Sequence, residues 1–153
     1  MLQLHQLIPP LTIHASNGRT VRAWDFKQKK SLIIAFLHAD CPGCEGFLRS
    51  LTAANSLWKA NDTVILAATL AQPSRNLSDA QTDSIIVGVD PTGRAAIAYV
   101  GKDSPGATDL LKLGVFAIDR YGELTAIWNV AANHKFPAPT EISSILQQAE
   151  FTS

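Results

Sequence analysis

A chain of 153 residues is long enough for one domain with a real core and too short for two of ordinary size. Thirteen basic residues balance thirteen acidic ones, so the basic excess of a nucleic-acid or membrane-surface binder is absent. Hydrophobic residues at 46% against 17% charged exclude a disordered, solvated chain.

The first residues, MLQLHQLIPPL, carry no charged n-region, no long apolar stretch and no small-residue cleavage site, which predicts a cytoplasmic protein. The longest apolar runs, such as Leu32–Leu37, are too short to cross a bilayer, so no membrane span is expected. Leu11–His14 and Thr20–Ala23 read as short strands around Ser16-Asn17-Gly18, a hairpin turn. After a polar step at Lys27–Lys30, Ser31–His38 (SLIIAFLH) is nearly continuous in apolar residues, as a central strand buried on both faces would be. Pro42 stands where a helix can begin, because a first helical residue needs no N–H. Phe47, Leu48, Leu51, Ala54, Leu57 and Trp58 then recur at helical spacing, predicting one amphipathic helix to about Ala60.

Thr63–Thr69 is a second buried strand, which makes a right-handed parallel strand–helix–strand unit. Gln72–Gln81 is a polar helix or loop, Ile85–Val89 a third strand, and Thr92–Val100 a short helix followed by a polar loop from Gly101 to Gly106. Val115–Ile118 and Leu124–Trp128 flank Asp119-Arg120-Tyr121-Gly122 as a strand–turn–strand hairpin. Pro139 and Thr140 open a last helix, Glu141–Ala149, with Ile142, Ile145 and Leu146 on one face. A βαβ half followed by a ββα half is an α/β sandwich. Trp58 and Trp128 fall at core positions, whereas Trp24 suits either packing under the hairpin or the rim of a site.

The chemistry concentrates in Cys41-Pro42-Gly43-Cys44, which holds both cysteines of the chain. Two thiols three residues apart cannot staple a small fold, and a zinc site would need further ligands that no second CxxC or paired His supplies. No metal or other cofactor is expected. Redox exchange, two inert thiols near a bend, and a metal or cluster shared between two chains are the three readings. A thiolate at Cys41 would meet the unpaired N–H groups and positive dipole end of the helix, which can bring a thiol pKa from about 8.5 to roughly 3.5–7.5. Cys41 is then the exposed nucleophile and Cys44, nearly one turn on, the more buried resolving thiol. Pro42 and Gly43 tune the pair. His38 could assist the thiolate or move protons, although a structural role suits it better. Strand alternation would set His38 and Asp40 on one side, where they could bond each other. Ionised Asp40 and Glu45 would disfavour the thiolate. His134, in Asn133-His134-Lys135-Phe136-Pro137, is read as part of an exposed connection.

Taken together, Asn17-Gly18, Trp24-Asp25-Phe26-Lys27, SLIIAFLHADCPGC and VFAIDRYGEL resemble the thioredoxin-like redoxins. These include the alkyl hydroperoxide reductase/thiol-specific antioxidant group and the thiol–disulfide reductases. The resemblance implies a three-layer sandwich, a central mixed sheet with helices on both faces, as a single domain over 1–153. Residues 11–30 would be an N-terminal hairpin extension and 31–150 the core. It also implies a CxxC redox site that reduces a protein disulfide or a small oxidant and is restored by an external thiol reductant. The usual cis-proline is missing: its place falls near Leu113, and Pro105 is upstream. Ile34 and His38 fill the places of the peroxiredoxin Pro and Thr, and the peroxiredoxin Arg would fall near Leu113. Peroxide reduction needs such donors to polarise the O–O bond. Thiol–disulfide exchange is therefore the leading expectation, ahead of a peroxiredoxin-like peroxidase and of a non-catalytic binding or scaffold domain.

Overall fold

Two fully buried strands set the centre of the molecule. β3 (Ser31–Phe36) and β4 (Thr63–Thr69) are buried at every position, as strands covered on both faces must be. A computed structural model of the chain describes residues 4–15, 18–26, 29–38, 42–70, 73, 75–78, 82–90, 93, 98–99, 113–130 and 136–152. β3 and β4 pair in parallel with Ile33 beside Ile65, and β5 (Ile85–Val89) lies parallel beyond β4. On the other side of β3, β6 (Leu113–Ile118) runs antiparallel, and β7 (Leu124–Val130) runs antiparallel outside it. The N-terminal hairpin of β1 (Thr12–Ala15) and β2 (Thr20–Arg22) joins through β1 against β5. The result is one mixed seven-stranded sheet in the order β2-β1-β5-β4-β3-β6-β7. The hairpin therefore lengthens the sheet at its β5 edge.

Residues of alternate parity separate two cores. One face, with Ile33, Ala35, Ile65, Ala67, Val115 and Ala117, packs under helices that contribute Leu48, Leu51, Trp58, Leu77, Ile142 and Leu146. Those helices are α1 (Pro42–Ala53), α2 (Asn55–Ala60), α3 (Arg75–Ser78) and α4 (Pro139–Thr152). The other face, with Leu32, Ile34, Phe36, Leu66, Phe116 and Ile118, is covered by Ile8, Leu11, Ala23, Phe26 and Tyr99. Tyr99 and Ala98 are the helical residues described from the predicted 92–100 helix. Three rings meet there: Tyr99 lies 5.2 Å from both Phe36 and Phe116, edge-on to the latter, and its hydroxyl donates to the Pro9 carbonyl at 2.6 Å.

Several element ends differ from the sequence expectations. The predicted helix to Ala60 breaks at Ala54, where Ala54 N–H reaches both the Ser50 and Leu51 carbonyls and Leu57 N–H tightens onto the Ala54 carbonyl. Such i→i+3 tightening ends a helix, and the Trp58 indole donates to the Leu51 carbonyl at 2.8 Å. Periodicity could not foresee this, because Trp58 keeps its core side across the break. β3 stops at Phe36 instead of His38, so alternation no longer relates His38 to Asp40. The second hairpin strand ends at Arg22, and Ala23–Phe26 form a 3₁₀ turn instead. β6 and β7 are longer than predicted, since they pair from Leu113 with Val130 inward.

The β6–β7 turn follows its sequence. Gly122 adopts φ +86°, and the Asp119 carboxylate accepts from the Tyr121 and Glu123 amides at 2.9 and 3.0 Å. Beyond the turn, Ile118 pairs with Leu124 and Ala117 with Ala126, so Thr125 is an extra residue in β7. This bulge sends Leu124 and Ala126 to opposite faces of the sheet. The N-terminal segment crosses the same end, with His5 N–H donating to the Leu124 carbonyl and Leu124 N–H to that of Gln6.

Candidate active site

The C-terminal end of β3 is the place the sheet offers for chemistry. There β3 hands the chain to α1 while β6 begins alongside, with Phe36 beside Gly114. Leu37 N–H still bonds the Ala68 carbonyl of β4 at 2.9 Å, and half-buried His38 follows outside the strand. Ala39, Asp40 and Cys41 lie outside the described residues, so a His38–Asp40 bond and the setting of the Cys41 sulfur do too. α1 begins at Pro42, directly after Cys41 in the chain. Its opening N–H groups and positive dipole end therefore belong to the CPGC tetrapeptide.

Cys44 sits in the first turn of α1 with 0% exposure. It belongs to the core of the helix-covered face together with Leu37, Phe47 and Leu48. Gly43 and Glu45 are half-buried beside it. The Glu45 carboxylate favours the helix dipole and opposes a thiolate at the same end. Phe47, one turn beyond Cys44, stacks on Phe136 with ring centres 4.5 Å apart and planes within 10°. Pro137 is buried next to it. The expected exposed connection before the last helix is thus partly packed against α1, although His134 itself lies outside the described residues. Sequence reading passed over Phe136. Its signal was an aromatic residue followed by proline, just before a helix that carries its own apolar face.

β6 starts at Leu113 in place of the missing cis-proline, beside the end of β3, and no cis peptide occurs among the described residues. Ile34 is fully buried in the middle of β3. No cluster of three or more metal-ligating side chains occurs among the described residues. Trp24 is at the opposite end of β3, 39% exposed, beside a small notch shared with Lys30, Leu32 and Asp119. It does not rim the CPGC end. No helix among the described residues is long and apolar enough to cross a membrane.

A mixed sheet whose central strand feeds a CxxC into a helix is the thioredoxin-like arrangement, and solved structures with this fold overlay nearly the whole chain. A Chlorobium tepidum protein assigned as thiol:disulfide interchange protein DsbE is 18% identical, with 99% of this chain and 98% of that one covered and a TM-score of 0.71. A reduced 2-Cys peroxiredoxin of Plasmodium vivax is 12% identical, with 99% and 83% covered and a TM-score of 0.80. A yeast mitochondrial 1-Cys peroxiredoxin, 14% identical with 99% and 78% covered, has a TM-score of 0.81. At such identities the likeness establishes the fold. Among curated proteins none matches the sequence. The redoxin family profile matches residues 3–146, and the chain belongs to that family.

Proposed function

We propose that this redoxin is a thiol–disulfide oxidoreductase that cycles Cys41 and Cys44 between dithiol and disulfide. The observation that carries the reading is the complete burial of Cys44 in the first turn of a helix that begins one residue after Cys41. An attacking thiol needs access and a stabilised anion, whereas a resolving thiol benefits from shelter until the mixed disulfide forms. In the proposed cycle the Cys41 thiolate attacks one sulfur of a substrate disulfide and expels the other as a thiolate. Cys44 then loses its proton and attacks the Cys41 sulfur, which releases the second substrate thiol and leaves the Cys41–Cys44 disulfide. An external thiol reductant, one dithiol or two monothiol molecules, reverses that bond by the same exchange and leaves as its own disulfide. Glutathione or thioredoxin systems, which serve the yeast relative, are the classes of reductant to try first.

Thiol counting by mass spectrometry across a redox titration tests the reading. The expected result is loss of two hydrogen atoms, two protons and two electrons taken up by the redox buffer, as one intramolecular disulfide forms, with exchange abolished in Cys41→Ser and a trapped mixed disulfide in Cys44→Ser. A pair that closes at no accessible potential ends it and leaves the scaffold alternative. The peroxidase alternative has the two peroxiredoxin overlays on its side and the residues against it, since neither the Thr nor the Arg that would donate to a peroxide oxygen stands at His38 or near Leu113. Stopped-flow peroxide consumption faster than that of a free thiol would favour it instead.

A further inference from the structure

Cys44 is sealed by more than its own helix. Leu37, just past the end of β3, and Phe47, one turn further along α1, belong to the same buried cluster, and Phe47 is in turn covered by Phe136, which is distant from it in sequence. Phe136 stands between β7 and α4, in the stretch that leads directly to Pro139 at the start of α4. Its ring lies flat on Phe47, while Phe47 itself is only 4% exposed. An offset or parallel ring pair of this kind adds stability beyond the area it buries. The stack is thus a cross-link between the last connection of the fold and the first two turns of the thiol-bearing helix.

We propose that Phe136 is a positioning residue for the dithiol pair: by stacking on Phe47 it keeps Cys44 sheltered from outside reagents and fixed in the first turn of α1. The proposal rests on the exchange reading above and adds to it the group that sets how readily the resolving thiol is reached. A sheltered thiol reacts with outside reagents only through local opening, so its labelling rate reports the strength of the seal. A held thiol also presents a high effective concentration to its partner, which favours the closed disulfide.

Alkylation of Cys44 in the Cys41→Ser protein is the first measurement. Phe136→Ala is expected to speed labelling about tenfold, the scale of a lost ring contact at an otherwise dry site, and Phe136→Leu, which keeps apolar volume without the stack, to fall between it and the parent. Leu146→Val, in the same core on α4, serves as the comparison for general loosening at equal loss of stability. In the protein with both cysteines, Phe136→Ala is expected to move the glutathione equilibrium toward the dithiol by about tenfold, or about 30 mV. Labelling that Leu146→Val accelerates equally, or an unmoved equilibrium, overturns the proposal. A parent pair that forms no disulfide at all defeats the exchange reading instead, while the labelling series still decides the seal. Should Phe136→Ala fail to fold, Phe136→Leu decides by the same criteria.

Discussion

The two faces of the sheet are sealed in different ways. The helix-covered face is closed by α1, α2, α3 and α4, mostly with aliphatic side chains around the fully buried Trp58 and the Phe47–Phe136 stack, and Cys44 lies within it. The opposite face is closed by segments distant in sequence, Ile8–Leu11, Ala23–Phe26 and Tyr99, around three aromatic rings and one hydroxyl bonded to a backbone carbonyl. The buried thiol thus lies where regular helices exclude water. On either face a buried polar group has its partner, the Trp58 indole with Leu51 and the Tyr99 hydroxyl with Pro9.

The largest effect is expected where the helical face is densest. Trp58→Ala removes a fully buried indole and its bond to Leu51, and should cost about 3–5 kcal/mol in denaturant unfolding. A loss below 1 kcal/mol would mean that the helices do not seal this face as described. On the other face, a Cβ added at Gly88 meets the His14 backbone at 3.0 Å and Ile13 Cδ1 at 3.1 Å. Gly88→Ala should cost about 1–3 kcal/mol, with amide exchange accelerated in β1 and β2 rather than in β3 and β4. Uniform acceleration would show that the hairpin is not a separable flap.

The smallest expected effect is Tyr99→Phe, about 1 kcal/mol at neutral pH for one lost hydrogen bond. Its pH dependence sharpens the contrast between the faces. Burial pushes the Tyr99 phenol far above its ordinary value near 10. The folded protein thus keeps Tyr99 neutral while the unfolded chain ionises. The stability it contributes is complete below about pH 10 and falls as pH rises toward the folded-state value. The Phe variant lacks this loss, so the gap between the two proteins should narrow in unfolding measured from pH 9 to 11.5. A constant gap would place Tyr99 in contact with water.

The fold was legible where pattern and burial coincide. SLIIAF and TVILAAT are apolar without alternation because both faces of their strands are covered, and Asp119 with Gly122 announced a turn through the only conformations they favour there. The break at Ala54 was not legible, since it depends on local hydrogen bonds that tighten one turn and leave helical spacing intact. Of the site, Cys44 could be read as the buried thiol from its place one turn into a helix. Phe136 carried only the signal of an aromatic residue before proline, and its partner could not be read, because Phe47 is distant in sequence and the contact depends on how β7 returns to α4.

The extra residue at Thr125 bears on how this protein behaves among copies of itself. A flat outer strand would show neighbours one continuous apolar stripe and a regular row of amides to zip onto. Because β7 changes sides partway along and the N-terminal segment occupies its first amide and carbonyl, a strand aligned with one half of it is out of step with the other. The sheet's open border is thus built to discourage endless stacking, with no charged guard residue needed within the strand itself.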